Sequence, residues 1–289
     1  MPSSWHSMAK AIIAFAMECH EEGIITSKMT GGLDLSFGNA EAMIQMVEKI
    51  GLRQDLGDLL AEGTKRAAER LGAGAEAYAV HVKGQEVPMH EPRLKRGLGV
   101  GYAVSPTGAD HCHNLHDTGM TGTALAKLRP LGILEEVPVE SLGGDKVRLF
   151  KYQMGMRVLA NSLSICQFPP WRFTEYVDLV QATTGWDVSM FELVKVAERT
   201  LNLARIFNLR EGFKATDDWL PLRFFEPQTS GALSDTAVNP SDLKQAIETF
   251  YEMMGWNGDG VPLPGTLHEL NVGWAVDYLP EREPGKLAV

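Results

Sequence analysis

The sequence is poor in several features, each of which would define a class of protein. Its three cysteines, Cys19, Cys112 and Cys166, are scattered over 289 residues. An odd count at such spacing makes no disulfide framework and leaves at least one thiol unpaired, so reduced thiols or metal ligands are expected. Positive charge is also in deficit, with 27 Lys and Arg against 37 Asp and Glu and a net charge of −10. A general nucleic-acid binder is thereby excluded, because neutralising phosphates takes a basic face. No apolar run approaches the ~20 residues needed to cross a bilayer, and the opening MPSSWHSMAK has neither the apolar stretch nor the cleavage site of a leader. A cytoplasmic protein without a membrane partner is expected. Alternating apolar patterns are almost missing, and there is no internal repeat or low-complexity tract.

What remains is helical patterning, so the expected fold class is mainly α. Residues 9–22 are rich in helix formers and stop at Gly23, with Cys19 packed inside. Asn39 caps a second helix whose buried face is Met43, Met46, Val47 and Ile50. A third helix is predicted from Asp55 to Gly72, and an extended run from Tyr78 to Val82. Residues 119–148 read as a surface connection with at most one short helix. The pattern returns at Lys151 and runs to Cys166, where Phe168, Pro169 and Pro170 end it. Another helix begins near Thr174. Asp187 then caps the longest one, with Phe191, Val194, Ala197, Leu201, Ala204 and Phe207 on one stripe. Asn239 followed by Pro240 opens a helix that buries Leu243, Ala246, Ile247, Phe250, Tyr251 and Met254. Residues 281–289 read as a surface strap.

One stretch breaks the pattern. Residues 84–117 crowd glycines, histidines and charges together without a sustained period, which points to a functional loop. Gly97, Gly99, Gly101 and Gly108 would let backbone approach a ligand or turn with positive φ. Arg93, Lys95 and Arg96 could face an anionic group such as a phosphate. The competing reading is an irregular structural loop with a solvated basic edge. His111, His113, His116 and Asp117 could converge on a divalent metal, which by residue type suggests a hydrolase. No βα pattern flanks them, however, and a single histidine also serves as a proton donor or acceptor near neutral pH. Cys166 reads either as a small buried hydrophobe or as one ligand of a cluster whose other thiolates lie elsewhere.

Ten segments, in order, resemble one family. They include TGGLDLSFGNAEAMIQMVEKI (30–50), DLLAEGTKRAAERLG (58–72), HVKGQEVPMHEPRLKRGLGVGYAVSPTGADH (81–111), LANSLSICQF (159–168) and YEMMGWNGDGVP (251–262). The family is the tungsten-containing aldehyde ferredoxin oxidoreductases, specifically their C-terminal helical domains. The resemblance implies oxidation of an aldehyde to a carboxylic acid at a tungsten (or molybdenum) bispterin, with electrons passed through a [4Fe–4S] cluster to ferredoxin. It implies a partial middle domain over 1–88, truncated at its start, and a C-terminal helical domain over 89–289. The family's Asp-x-x-Gly-Leu-Cys segment contacts a pterin and ends in the fourth cluster cysteine, and here it reads Asn161, Ser162, Leu163, Ser164, Ile165, Cys166. Cys166 is thus the implied metal ligand. Asn161, Ser162 and Leu163, with Arg93 and Lys95, are the implied cofactor-binding residues. His111 is the first candidate for the histidine beside the metal, with His113 and His116 behind it.

The family's N-terminal β domain, its three-cysteine cluster motif and its first pterin motif should precede residue 11, where MPSSWHSMAK contains none of them. The expectation is therefore a truncated or split C-terminal part, which holds both cofactors only together with the missing half or a separate subunit. Whether it self-associates is left open. The alternatives are a non-catalytic helical scaffold or remnant and, behind it, a metal-dependent hydrolase built on His111, His113 and His116.

Overall fold

A computed structural model describes residues 4–114, 116–120, 122–169 and 171–280 of the chain, so Pro170 and the strap expected at 281–289 lie outside the described residues. The chain divides into two units, one formed by residues up to 90 with 107–110 and the other by 91–106 with 111 onwards. Both are helical. The described sheet consists of β1 (His81–Val82) and β2 (Gln85–Glu86), paired antiparallel with His81 opposite Glu86.

The first unit packs α1 (Ser4–Glu21), α2 (Ser27–Thr30), α3 (Ala40–Leu52), α4 (Leu56–Leu60) and α5 (Thr64–Leu71) around one core. Ile13, Phe15, Ala16 and Cys19 of α1 meet Ala42 and Met46 of α3, Leu60 of α4 and Ala67 of α5 there. Asn39 caps α3 as expected, its side-chain oxygen accepting from the Ala42 amide at 3.1 Å. The buried face of α3 follows expectation at Met46, with Ile50 packed against the core, but Met43 and Val47 are exposed and Ala42 is buried. The helix predicted from 55 to 72 is two helices. Gly63, at φ 91°, breaks it, and the Thr64 amide that starts α5 donates to the buried Glu86 carboxylate at 2.7 Å. A carboxylate suits that end, where backbone donors lack helical partners. Only 81–82 of the predicted extended run is strand, and Ala75–Tyr78 is a 3₁₀ turn.

The second unit holds α6 (Arg96–Val104), α7 (Gly144–Ser162), α8 (Phe173–Thr184), α9 (Met190–Arg210), α10 (Pro240–Met254) and α11 (Pro264–Glu269). α7 packs against α6, α9 and α10. It starts at Gly144, two turns before the apolar pattern becomes regular, and ends at Ser162, so Cys166 lies beyond the helix instead of closing it. The connection before it carries a ten-residue 3₁₀ helix, Gly122–Leu131, with Leu128, Leu131 and Ile133 buried. The cap of α9 is Ser189, not Asp187, its hydroxyl accepting from the Glu192 amide at 3.3 Å. The stripe of α9 holds in its middle, where Ala197 and Leu201 are buried, but Phe191 and Phe207 at its ends are exposed, whereas Asn202, Arg205 and Asn208 are buried. Asn202 accepts from Trp256 Nε1 at 2.8 Å and Asn208 donates to the Pro106 carbonyl at 2.8 Å, so buried hydrogen bonds replace apolar contacts there. α10 follows the sequence pattern throughout, with all six predicted residues buried behind the Asn239 cap.

Candidate functional site

The glycine-rich stretch is not one loop. Its middle is α6, with every residue from Gly97 to Val104 buried. Gly101 is there for close packing, since a Cβ would collide with the Asn114 amide and come within 2.9 Å of Phe150. Gly99 lies more loosely against Pro92, at 3.3 Å, and of the four glycines at 97, 99, 101 and 108 only Gly108, at φ 81°, has the positive φ that glycine favours. Asp117 anchors the helix start. Its carboxylate accepts from the Gly97 and Leu98 amides at 2.9 and 3.0 Å and pairs with Lys146 of α7 at 2.8 Å, with side chains 0% and 1% exposed. Asp117 is therefore withdrawn from the metal-binding set that residue types alone suggested.

The basic cluster separates. Arg93 is buried, its Nη1 on Glu91 at 3.0 Å, its Nε on the Glu226 carbonyl at 2.6 Å, its Nη2 on the Arg223 carbonyl, and its plane over Phe224. Lys95 reaches the histidines instead, with Nζ 3.4 Å from His116 Nδ1. His116 Nε2 lies 3.0 Å from the His111 carbonyl. A carbonyl only accepts, so Nε2 carries the proton and Nδ1 accepts from Lys95. Burial, then the Lys95 cation, push His116 below the usual imidazole range, and Arg157 acts in the same direction. His111 meets His116 edge to face at 6.2 Å, and its Nε2 is 3.8 Å from Cys112 Sγ. His113 is half-buried.

The end of α7 is built differently. Ser164 N–H donates to the Asn161 carbonyl at 3.0 Å and Ile165 N–H to the Ala160 carbonyl at 2.8 Å, with Ser164 at φ 57°. This is a Schellman motif with serine in the left-handed position that glycine usually takes. It turns the chain outward, leaving Asn161, Ser162 and Cys166 exposed, Leu163 half-buried and Phe168 90% exposed. Arg157, one turn before Asn161, donates to Gln167 Oε1 at 2.9 Å, and Gln167 Nε2 donates to Asn161 Oδ1 at 3.0 Å. The cysteines divide accordingly. Cys19 is buried, and burial with Glu18 and Glu22 pushes its thiol up to about 11; Cys112 is half-buried and Cys166 exposed. A [4Fe–4S] cluster takes four thiolates, so these three cysteines, one of them buried, do not by themselves fit one.

Lys146, Arg157 and Gln167 were not singled out from the sequence. Lys146 lies before the regular apolar pattern of α7, and the other two are polar residues with no motif. Ser164 did carry a signal, since it stands where the resemblance expects glycine.

These features define a class first: a mainly α pair of units in which the exposed end of α7 and the turn after it carry one amide and one thiol. The family described as aldehyde ferredoxin oxidoreductase, domains 2 and 3, matches residues 6–272, and the chain belongs to that family. The tungsten-containing aldehyde ferredoxin oxidoreductase of Thermococcus kodakarensis is 32% identical over 253 residues, covering 86% of this chain and 40% of that protein. The Pyrococcus furiosus enzyme of the same name is 32% identical over 265 residues, covering 90% and 42%. The aliphatic sulfonate oxidoreductase, WOR-like subunit, of Pyrococcus furiosus is 31% identical over 277 residues, covering 91% and 40%. The chain thus spans about 40% of the length of the curated relatives it matches. Among solved structures, the active site complex BamBC of benzoyl coenzyme A reductase with 1,5-dienoyl-CoA shares the fold, with a TM-score of 0.69 at 24% identity over 94% of this chain and 44% of that one. No helix among the described residues is long and apolar enough to cross a membrane.

Proposed function

We propose that this chain supplies the helical wall of the cofactor and substrate site in an aldehyde-oxidising enzyme of the family, acting with the portion of the fold that its relatives carry beyond these domains. The observation that carries the reading is the outward turn after α7, which presents Cys166 and Asn161 to solvent beside the exposed Phe168. An aromatic ring so exposed beside an available thiol suits a surface that meets another part of the assembly. Cys166 is the cluster ligand, and Asn161, Ser162 and Leu163 face the pterin. A tungsten or molybdenum bispterin, when bound, supplies the two-electron oxidation, and the cluster passes the electrons to ferredoxin.

Oxidising an aldehyde to its acid takes up one water oxygen and releases two electrons and two protons. The chain's own part is to hold a proton acceptor near the aldehyde, and an imidazole suits this near neutral pH. His116 has both nitrogens engaged, by Lys95 and the His111 carbonyl, and so positions the segment. His111 is the first candidate for the proton-handling group, with His113 and His116 behind it. Arg93 supports the segment from inside the fold, and Lys95 acts through His116. The family's relatives include both aldehyde and aliphatic sulfonate oxidoreductases by name, so the aldehyde is a proposal for this chain alone.

The test is anaerobic reconstitution with iron, sulfide and tungsten cofactor, with and without the remaining family domains, read by metal analysis and electron paramagnetic resonance. Four irons and one tungsten are expected only in the combined protein, with the iron lost on Cys166→Ser. Iron content unchanged by that substitution sinks the assignment.

A further inference from the structure

The polar end of α7 is wired in one direction only. Arg157 and Asn161 stand four residues apart, hence on one face of the helix. Gln167, from the turn that follows, joins them: Arg157 Nη1 donates to Gln167 Oε1 at 2.9 Å, and Gln167 Nε2 donates to Asn161 Oδ1 at 3.0 Å. A guanidinium has donors and no acceptor, so it fixes which end of the Gln167 amide faces it. The other end of that amide is a donor, and it draws the Asn161 carbonyl towards itself. Both hydrogens of Asn161 Nδ2 are therefore turned away from the relay on an exposed side chain, and they meet no acceptor among the described residues.

We propose that Asn161, oriented by Arg157 through Gln167, is a specificity-determining residue that offers donors, so that this corner of the site takes an anionic oxygen of its ligand. A carboxylate at this position, as in the family pattern, would take a hydrogen-bond donor instead. The polarity of the contact is thus reversed without a change in the size of the side chain. The neighbouring Arg157 cation favours an anionic acceptor over a neutral one, because hydrogen bonds involving a charged partner are about twice as strong. This deepens the reading of residues 161–166 as facing the pterin, and it names the chemistry that the segment recognises.

The full chain, labelled with ¹⁵N in its asparagine and glutamine side chains, provides the test by nuclear magnetic resonance. The Asn161 Nδ2 hydrogens should exchange freely with water, shift on addition of inorganic phosphate and ignore methylguanidinium. Gln167→Glu keeps a partner for Arg157 but sets an acceptor against Asn161, so the Asn161 amide should turn over and its hydrogens become protected. The response to phosphate should then weaken roughly fivefold, the worth of one ordinary hydrogen bond. Protected Asn161 hydrogens in the unmodified chain, or equal phosphate responses from the two proteins, overturn the proposal. Neither measurement involves a pterin, so failure here is distinguishable from failure of the cluster and tungsten reconstitution.

Discussion

Two stretches of the second unit, α6 and the turn that ends α7, fall within the segments that the sequence offers for chemistry, and they are built for opposite purposes. α6 has eight of its nine residues buried, with Gly99 and Gly101 set for contact and its first amides closed by Asp117. The turn after α7 holds its backbone with two hydrogen bonds and leaves its thiol, its amide and an aromatic ring outside. Glycine density therefore marks packing in the first, and a serine in a glycine conformation marks exposure in the second. A rigid interior segment suits the positioning of a reacting group, because catalytic geometry has to be held by residues locked in their own packing.

The sharpest way to break this contrast is to remove Lys146. Asp117 and Lys146 are both buried, and the carboxylate also holds the start of α6. Removing one partner leaves a buried charge uncompensated, which costs about 3–5 kcal/mol. Lys146→Ala should lower unfolding stability in urea by that amount and loosen α6 in hydrogen exchange. A loss no greater than that of an exposed lysine would show that the pair does not hold the helix.

Gly101→Ala comes next. The added methyl meets the Asn114 amide and Phe150, and overpacking of this kind costs about 1–3 kcal/mol, against a gain of under 1 kcal/mol from helix propensity. A net loss of stability in denaturant titration is expected. A gain would mean that α6 behaves as an ordinary helix, with its glycines unneeded.

These outcomes bear on what the sequence could show. α10 was legible down to its core residues because a strong cap, a proline at the first helical position and an unbroken apolar spacing agree. α6 was not, since glycines read as breakers until the neighbours that require them are known, and those neighbours come from 13 and 49 residues further along at Asn114 and Phe150. The stripe of α9 departs from expectation at Phe191 and Phe207 for a related reason. Spacing points to large apolar residues as the buried face, yet Arg205 is held inside by Asp218 at 2.8 Å and by the Gly260 carbonyl at 2.8 Å. At the site, the family pattern pointed to Cys166 and Asn161, but the direction in which they face depends on the backbone turn at Ser164.

That turn supplies the smallest predicted effect and the most selective one. Ser164 sits at φ 57° in the left-handed region, where a residue with a Cβ is strained by roughly 1–2 kcal/mol. Glycine removes the strain but adds freedom to the unfolded chain worth about 0.5–1 kcal/mol, so Ser164→Gly should stabilise by about 0.5–1 kcal/mol. The hydrogen bonds from Ser164 and Ile165 to the end of α7 are both backbone and survive the change, so Cys166 should remain as accessible to thiol reagents as before. Ser164→Val tests the opposite direction: a β-branched residue tolerates the left-handed region poorly, and the turn should open, changing the rate of Cys166 modification. If serine, glycine and valine at this position gave the same stability and the same Cys166 reactivity, the turn would not be what presents the thiol, and the contrast between a packed α6 and a presented α7 end would rest on exposure alone.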